Sequence, residues 1–267
     1  MINGWRGVAL NQAEDSANEI HSDRVAQQFG FRGGLVPGVT ISAYLIQPAV
    51  TAWGLDFLHR GYAHVRVLAP LYDGEQFSVD ILQQDDVSYK AQISQAGTLS
   101  ATADVAMPEL APTAPVRRGD PVGEKDFKPQ RASLALFEEL REQGCQAFRY
   151  HWRTKNNQPY VTDLSAVPDL LRVDGGGYAN MNFILGTTNW VLATNAHMNP
   201  WMHLETRSQN YRAVAEGTAL IAELEIADLF ARKGHEFVDA QINLFDEAND
   251  ECVCAIELRA IYQLRGA

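Results

Sequence analysis

Apolar and polar positions change period along this chain, and each change marks an element. Behind Pro37-Gly38 an apolar segment runs to about Trp53, with Ile41, Tyr44, Leu45, Ala49, Ala52 and Trp53 at helical spacing. Pro48 lies inside it, which predicts a kink or an early end. Ser22 is a natural N-cap for a short helix carrying Val25, Ala26 and Phe29, stopped by Gly30. After Gly61 the period falls to two. Strands are expected from His64 towards Gly74, over 77–82, over 89–94 and over 99–106, the last two joined by the hairpin-like turn Gln95-Ala-Gly-Thr98. A long helix is thus followed by an antiparallel meander.

Residues 108–130 hold five of the eleven prolines and read as a surface linker. A second helix-rich start follows, from about Ala132 to Gln143, with Leu134, Phe137 and Leu140 as its apolar stripe. The rest of the chain then repeats the first part. Tyr72-Asp-Gly74 corresponds to Ala215-Glu-Gly217 at an offset of 143. The same offset carries Pro37-Gly38 onto Asn180-Met181, where the apolar run 182–193 begins. Ala91-Gln-Ile93 meets Ala240-Gln-Ile242 at an offset of 149, so the second copy is expected to hold about six more loop residues. The boundaries that follow are 1–110 for the first unit, 111–130 for the linker and 131–267 for the second. Fusion would make an internal pseudo-dimer and leaves room for a homodimer of the whole chain.

Composition narrows the function classes. The 267 residues are 46% hydrophobic and 21% charged, ordinary for a globular protein of this length. A net charge of −11 argues against a nucleic-acid surface. The three cysteines, Cys145, Cys252 and Cys254, have no metal-ligand spacing, and their odd number fits a reducing compartment. The N-terminus lacks a basic-then-apolar signal pattern, and no window reaches 18 unbroken apolar residues. A cytoplasmic protein bound to no membrane is the expectation.

Chemistry concentrates between Asn18 and Gly38. A polar loop presents His21, the glycine-rich turn Gly30-Phe-Arg-Gly33-Gly34 follows, and Val36-Pro37-Gly38 opens the helix. Unpaired N–H groups at such a start can hold developing negative charge. A histidine upstream can move a proton at the same reacting group. Glycine at 38 would equally let the helix begin close to a neighbouring strand, and Asn18 would either hold the histidine or close an Asx turn.

This stretch resembles the MaoC-like (R)-specific enoyl-CoA hydratases and dehydratases of the hotdog superfamily, whose loop reads Asp-x-Asn-Pro-x-His before a glycine-rich run and a helix start. Here the frame reads Ser16-Ala-Asn18-Glu-Ile-His21. The resemblance implies an α+β double hotdog, two units each with a long helix wrapped by an antiparallel sheet. It also implies addition or removal of water at a 2-enoyl or 3-hydroxyacyl thioester, with His21 handling the proton and the Gly38 N–H holding the carbonyl oxygen. Ser16 stands where the family has aspartate; a hydroxyl orients water but accepts no proton at neutral pH, so Asp15 or Asp23 would have to substitute. Gly34, Val36 and Pro37 are read as substrate-binding, and Arg66 as a partner for a CoA phosphate. Such chemistry requires no metal or redox cofactor, and the partner is a small acyl thioester. An acyl or small-molecule binding protein without turnover, and a hotdog thioesterase, are the alternatives.

The second unit offers less. The offset of 143 carries His21 onto Leu164, and Asp174-Gly-Gly-Gly177 keeps only the glycine-rich entry. His197, His203 and Glu205 match no zinc pattern and read as loop residues. No Gly-x-Ser-x-Gly is present, and no cysteine sits beside a candidate base.

Overall fold

In the computed structural model, which describes residues 1–124, 127–156 and 159–266, ten strands form one antiparallel sheet that cradles two long helices. The first half contains β1 (Trp5–Val8), α1 (Asp23–Gln28), α2 (Gly38–Arg60), β2 (Tyr62–Val67), β3 (Gln76–Gln84), β4 (Ser88–Gln95) and β5 (Thr98–Ala106). The second contains α3 (Leu134–Gln143), β6 (Phe148–His151), α4 (Met181–Asn195), β7 (Met202–Asn210), β8 (Ala219–Arg232), β9 (His235–Asp246) and β10 (Cys252–Gln263). Strand order is β1-β3-β4-β5-β2-β7-β10-β9-β8-β6, so each half reads outward in the same order from the β2–β7 seam.

The duplication is visible bond by bond. The Val36 N–H donates to Leu71 O, and the Ala179 N–H to Val214 O, both at 2.9 Å. Gly74 N–H reaches Ala9 O, and Gly217 N–H reaches Trp152 O. Every one of these pairs is related by 143. At the seam His64 faces Arg207, again 143 apart, so the two-fold axis passes between them. The seam pairs the inner edges of the two half-sheets, which would otherwise be open.

Further on, the structure departs from the sequence expectation. Ile81 pairs with Ala91 and its counterpart Leu224 with Ile242, which sets the β4-to-β9 offset at 151. The Ala-Gln-Ile match at 149 is therefore a slip of two residues. A two-residue slip leaves every side chain on its own face, so alternation alone could not detect it.

α2 is buried nearly all round from Val39 to Val50, between the sheet and α4. Pro48 does not end it. The carbonyl that loses its helical donor to a proline at 48 is Tyr44 O, and the Trp5 indole N–H donates to it at 2.9 Å. The interruption comes at Gly54, with φ 57° and ψ −134°. The described residues between 107 and 133 carry no helix or strand, as the prolines imply, and residues 118–120 are stapled to the second half. The buried Glu223 carboxylate of β8 accepts the N–H groups of Arg118, Gly119 and Asp120 at 2.8, 2.6 and 3.0 Å. α3, capped by Ser133, adds Leu136 and Phe137 to the common core.

Candidate active site

Local structure fixes His21 before any ligand is considered. Ser22 caps α1, and Asp23 in its first turn accepts the Gly34 N–H at 2.7 Å, folding the glycine turn back over the loop. The position of a Cβ on Gly34 is occupied by the His21 carbonyl, so only glycine permits this approach. The His21 ring is buried, 9% exposed. Its Nδ1 lies 2.6 Å from Leu35 O, which only accepts, so Nδ1 carries the proton and Nε2 keeps a lone pair.

Asn18 reads the same tautomer from the other side. Its Oδ1 accepts the Trp201 N–H at 3.1 Å and its Nδ2 donates to Trp201 O at 3.1 Å, which fixes the amide orientation. Nδ2 is then the group 3.3 Å from His21 Nε2, a donor facing a lone pair. Burial lowers the His21 pKa, partly offset by the bond to Leu35 O, so the ring is neutral at neutral pH. The second half holds the loop in place, since Glu19 N–H donates to Asn199 Oδ1 and Asn199 Nδ2 to Glu19 Oε2, each at 2.9 Å.

The start of α2 stands beside this imidazole. Pro37 is its N-cap and supplies no side-chain bond, and among the described residues neither the Gly38 nor the Val39 N–H donates to a protein acceptor. His21, Asn18, Val36, Pro37 and Gly38 share the wall of an apolar cavity of about 130 Å³, closed by Val67 to Pro70 and by Trp201 to Leu204. A larger cavity of about 940 Å³ lies on the other side of His21, with Gln12, Asp15, Ser16, Asn182 and Trp190 in its wall. Asn18, His21, Pro37, Asn189 and Trp201 border both, so the imidazole sits at the junction.

Several expected site residues lie elsewhere. Asp23 is committed to Gly34, whose N–H it uses and which lines neither cavity. Ser16 and Asp15 are exposed in the larger cavity, and the Ser16 hydroxyl donates to Asn18 O rather than to His21. No carboxylate bonds the His21 ring among the described residues. Arg66 alternates with the core residue Val65 and so points to the opposite sheet face, where it meets His64, Asp104 and Glu205. It lines neither cavity.

Other residues were misplaced by spacing alone. His203 and Glu205 are strand residues of β7, which begins three residues before the position that the offset from β2 gives. The alternation from Met202 to Arg207 carried that signal. His203 is 8% exposed, and its ring Nε2 bonds the Thr206 hydroxyl while Nδ1 has no partner among the described residues. Such an orphan costs about 1–3 kcal/mol. Burial pushes its pKa down to about 3. Its side chain also lies against Gly38, where an added Cβ would come within 2.9 Å of His203 Cβ. Glycine at 38 thus serves close approach as well as the open helix start.

Among the described residues the second half has no equivalent of the His21 loop. Leu35 N–H bonds Ile20 O, and its counterpart Tyr178 N–H bonds Leu170 O, which pairs His21 with Leu171 rather than with Leu164. Leu171 is buried and Leu164 is 58% exposed. Asn180 caps α4 with its own side chain, accepting the Phe183 N–H at 2.9 Å. Among the described residues no helix is long and apolar enough to cross a membrane, and no cluster of metal-ligating side chains occurs.

No family model and no curated sequence matches the chain. Solved structures do. A MaoC-domain protein of Chloroflexus aurantiacus, described as a dehydratase, superposes with a TM-score of 0.55 at 11% identity, covering 100% of this chain and 97% of its own. An acyl-CoA thioesterase II of Mycobacterium marinum gives 0.52 at 14% identity, with 100% and 95% covered. A double-hotdog protein of Mycobacterium tuberculosis gives 0.51 at 14% identity, with 98% and 96% covered. The shared feature is the paired arrangement of helix and curled sheet, and this chain is an α+β double hotdog.

Proposed function

We propose that the chain adds water to, or removes it from, a 2-enoyl or 3-hydroxyacyl thioester. One observation carries the reading: a buried, neutral imidazole with its Nε2 pair unprotonated shares a cavity wall with the unbonded N–H groups that open α2. His21 Nε2 exchanges the long Asn18 contact for water and takes a proton from it as the water oxygen bonds to C3. The double-bond electrons move toward the thioester carbonyl, and the Gly38 N–H holds the resulting oxyanion. The imidazolium then returns its proton to C2, closing a cycle that needs a single acid–base group. Depression of the His21 pKa keeps the base unprotonated and makes its imidazolium a willing donor. Residues 1–110 are the working unit in this reading, 111–130 the linker and 131–267 the supporting unit.

A second reading rests on the lack of a carboxylate at His21: a ligand-binding hotdog with little turnover. The loss of a general base typically costs a factor of about 10²–10⁴. The two readings part in one assay, hydration of short, medium and long 2-enoyl-CoA thioesters followed by loss of enoyl absorbance. Turnover that falls by about 10²–10⁴ in His21→Ala, with the fold retained by circular dichroism, is the expected result. Background rates in the wild type, with acyl-CoA binding retained, would favour the binder, and release of free thiol without hydration would indicate a thioesterase.

A further inference from the structure

His21 stands between two cavities of opposite character, and the proposed reaction uses only their junction. Beyond the junction the smaller one is apolar, with Phe31, Leu35, Ile41, Ala69 and Met202 in its wall, and its volume is about 130 Å³. An apolar cavity of about 150 Å³ holds a benzene-sized guest. The smaller cavity therefore takes five or six carbons at most. The larger one, about 940 Å³, is within the roughly 300–1,000 Å³ usual for small-molecule sites. No Lys or Arg lines it among the described residues, whereas the exposed Glu14 and Asp15 do. Such a wall suits an uncharged polar chain and repels phosphate.

That wall also holds a free donor. Asn182 is 7% exposed, and its Oδ1 accepts the Thr40 hydroxyl at 2.8 Å. Thr40 Oγ1 lies 3.3 Å from Gln12 Nε2, so the three side chains form one directed chain. Reversing it would put an N–H₂ group where Gln12 Oε1 now lies buried without a partner, and two hydrogens would be wasted instead of one acceptor. The direction is thus from Gln12 to Asn182. Asn182 Nδ2 is left without a protein acceptor among the described residues. Unlike Gln12 Oε1 it is not sealed off, and the cavity it borders is the larger one. A polar group so deeply set and unpaired calls for a ligand acceptor.

We propose that this chain selects short acyl groups, of about eight or nine carbons at most, with the acyl tail in the smaller cavity and the uncharged pantetheine arm in the larger, where Asn182 Nδ2 donates to an amide carbonyl of the arm. This rests on the thioester reading above. With C3 at His21, the carbons from C4 onward enter the apolar cavity, and five or six of them fill it.

The test compares 2-butenoyl-, 2-octenoyl- and 2-dodecenoyl-CoA. Burial of one methylene is worth about fourfold, so kcat/KM should rise about tenfold to a hundredfold from butenoyl to octenoyl and no further to dodecenoyl. A continued rise to dodecenoyl, or no rise at all, overturns the proposal. Ala69→Phe, which fills the smaller cavity, should cost octenoyl-CoA at least tenfold more than butenoyl-CoA. Asn182→Leu should raise KM about tenfold for all three substrates alike, because they share the arm. Were the tail in the larger cavity, Asn182→Leu would favour dodecenoyl-CoA and Ala69→Phe would leave the length dependence unchanged; either result sinks the assignment. Thr40→Val cuts the tether but keeps the amide, and should raise KM less than Asn182→Leu. Equal effects would make the Thr40 contact, and hence a structural role, the one that matters. Should the wild type show no hydration, the proposed reaction falls, and the affinities of butanoyl-, octanoyl- and dodecanoyl-CoA become the readout. The same length limit and variant pattern would still support the arrangement. Affinity that keeps rising to dodecanoyl-CoA, or no binding at all, removes it.

Discussion

The two long helices occupy equivalent places in the sheet yet begin beside different neighbours. α4 opens behind Asn180, whose side chain accepts the Phe183 N–H and leaves those of Met181 and Asn182 without a protein acceptor among the described residues. α2 opens behind Pro37, whose carbonyl accepts the Thr40 N–H, and its Gly38 and Val39 N–H groups are left in the same state. The buried neighbour from the preceding loop is Leu171 in one case and His21 in the other. The fold supplies the same backbone twice, and a few side chains decide which copy can bind charge. In the proposed reading the second copy carries no catalytic loop and supports the first through Asn199 and Trp201.

The sharpest test of this contrast replaces the residue that opens each helix. In Gly38→Ala the new Cβ would meet His203 Cβ at 2.9 Å and its Cγ and Cδ2 at 3.0 Å, none of which is a flexible chain end. The helix start must shift away from β7. We expect hydration to fall by about 10²-fold, as for loss of an oxyanion donor. The stability loss should stay at the lower end of the roughly 1–3 kcal/mol of overpacking, since alanine favours the helix by up to about 1 kcal/mol. Met181→Ala should reverse the balance, with about 2–5 kcal/mol of stability lost from a buried side chain and kcat within a few-fold of wild type. Equal kinetic damage from both substitutions would abolish the distinction between the two starts.

Acid should also act on one start more than on the other. His21 and His203 are both neutral when folded, with pKa values lowered by burial, His203 to about 3. The unfolded chain binds protons at these histidines first, so stability rises with pH between the folded and unfolded values and is lost as pH falls below about 6.5. The window for His203 runs from about 6.5 down to about 3, with a slope of up to about 1.4 kcal/mol per pH unit. Urea unfolding between pH 6.5 and 4.5 should show a steeper loss for the wild type than for His203→Asn. Parallel curves would mean that His203 is not buried as a neutral ring.

How much of this was legible in the sequence follows from what each pattern encodes. The offset of 143 located the repeated turn and both helix starts, because glycine at 74 and 217 is required by φ values of 70° and 83°. The Asn18–His21 frame located the loop, and its contents show why: the asparagine amide and the histidine ring are joined in the structure. Three features were not legible. The β4–β9 register slipped by two because period-two alternation is blind to such a shift. Pro48 looked like a break because the Trp5 indole that rescues Tyr44 O lies 39 residues away in sequence. His203 was passed over because its importance comes from contact with Gly38 across the two halves, which no local spacing expresses. Arg66 was offered to a phosphate because it comes early in its strand, although its alternation with Val65 already put it on the far face.

The mildest test concerns the capped helix. Asn180 is buried at the entry to α4, and its Oδ1 accepts the Phe183 N–H while its side chain lines neither cavity. Asn180→Ala removes one acceptor and leaves one N–H of the first turn without a partner, at a typical cost of about 1 kcal/mol. That loss should appear as a lower denaturation midpoint with an unchanged m-value, since the surface exposed on unfolding stays the same. Rates with 2-enoyl thioesters should be unaltered, because Asn180 lines neither cavity. A tenfold fall in kcat with little change in stability would mean that the second start also serves the reaction. The two halves would then share the chemistry rather than divide it.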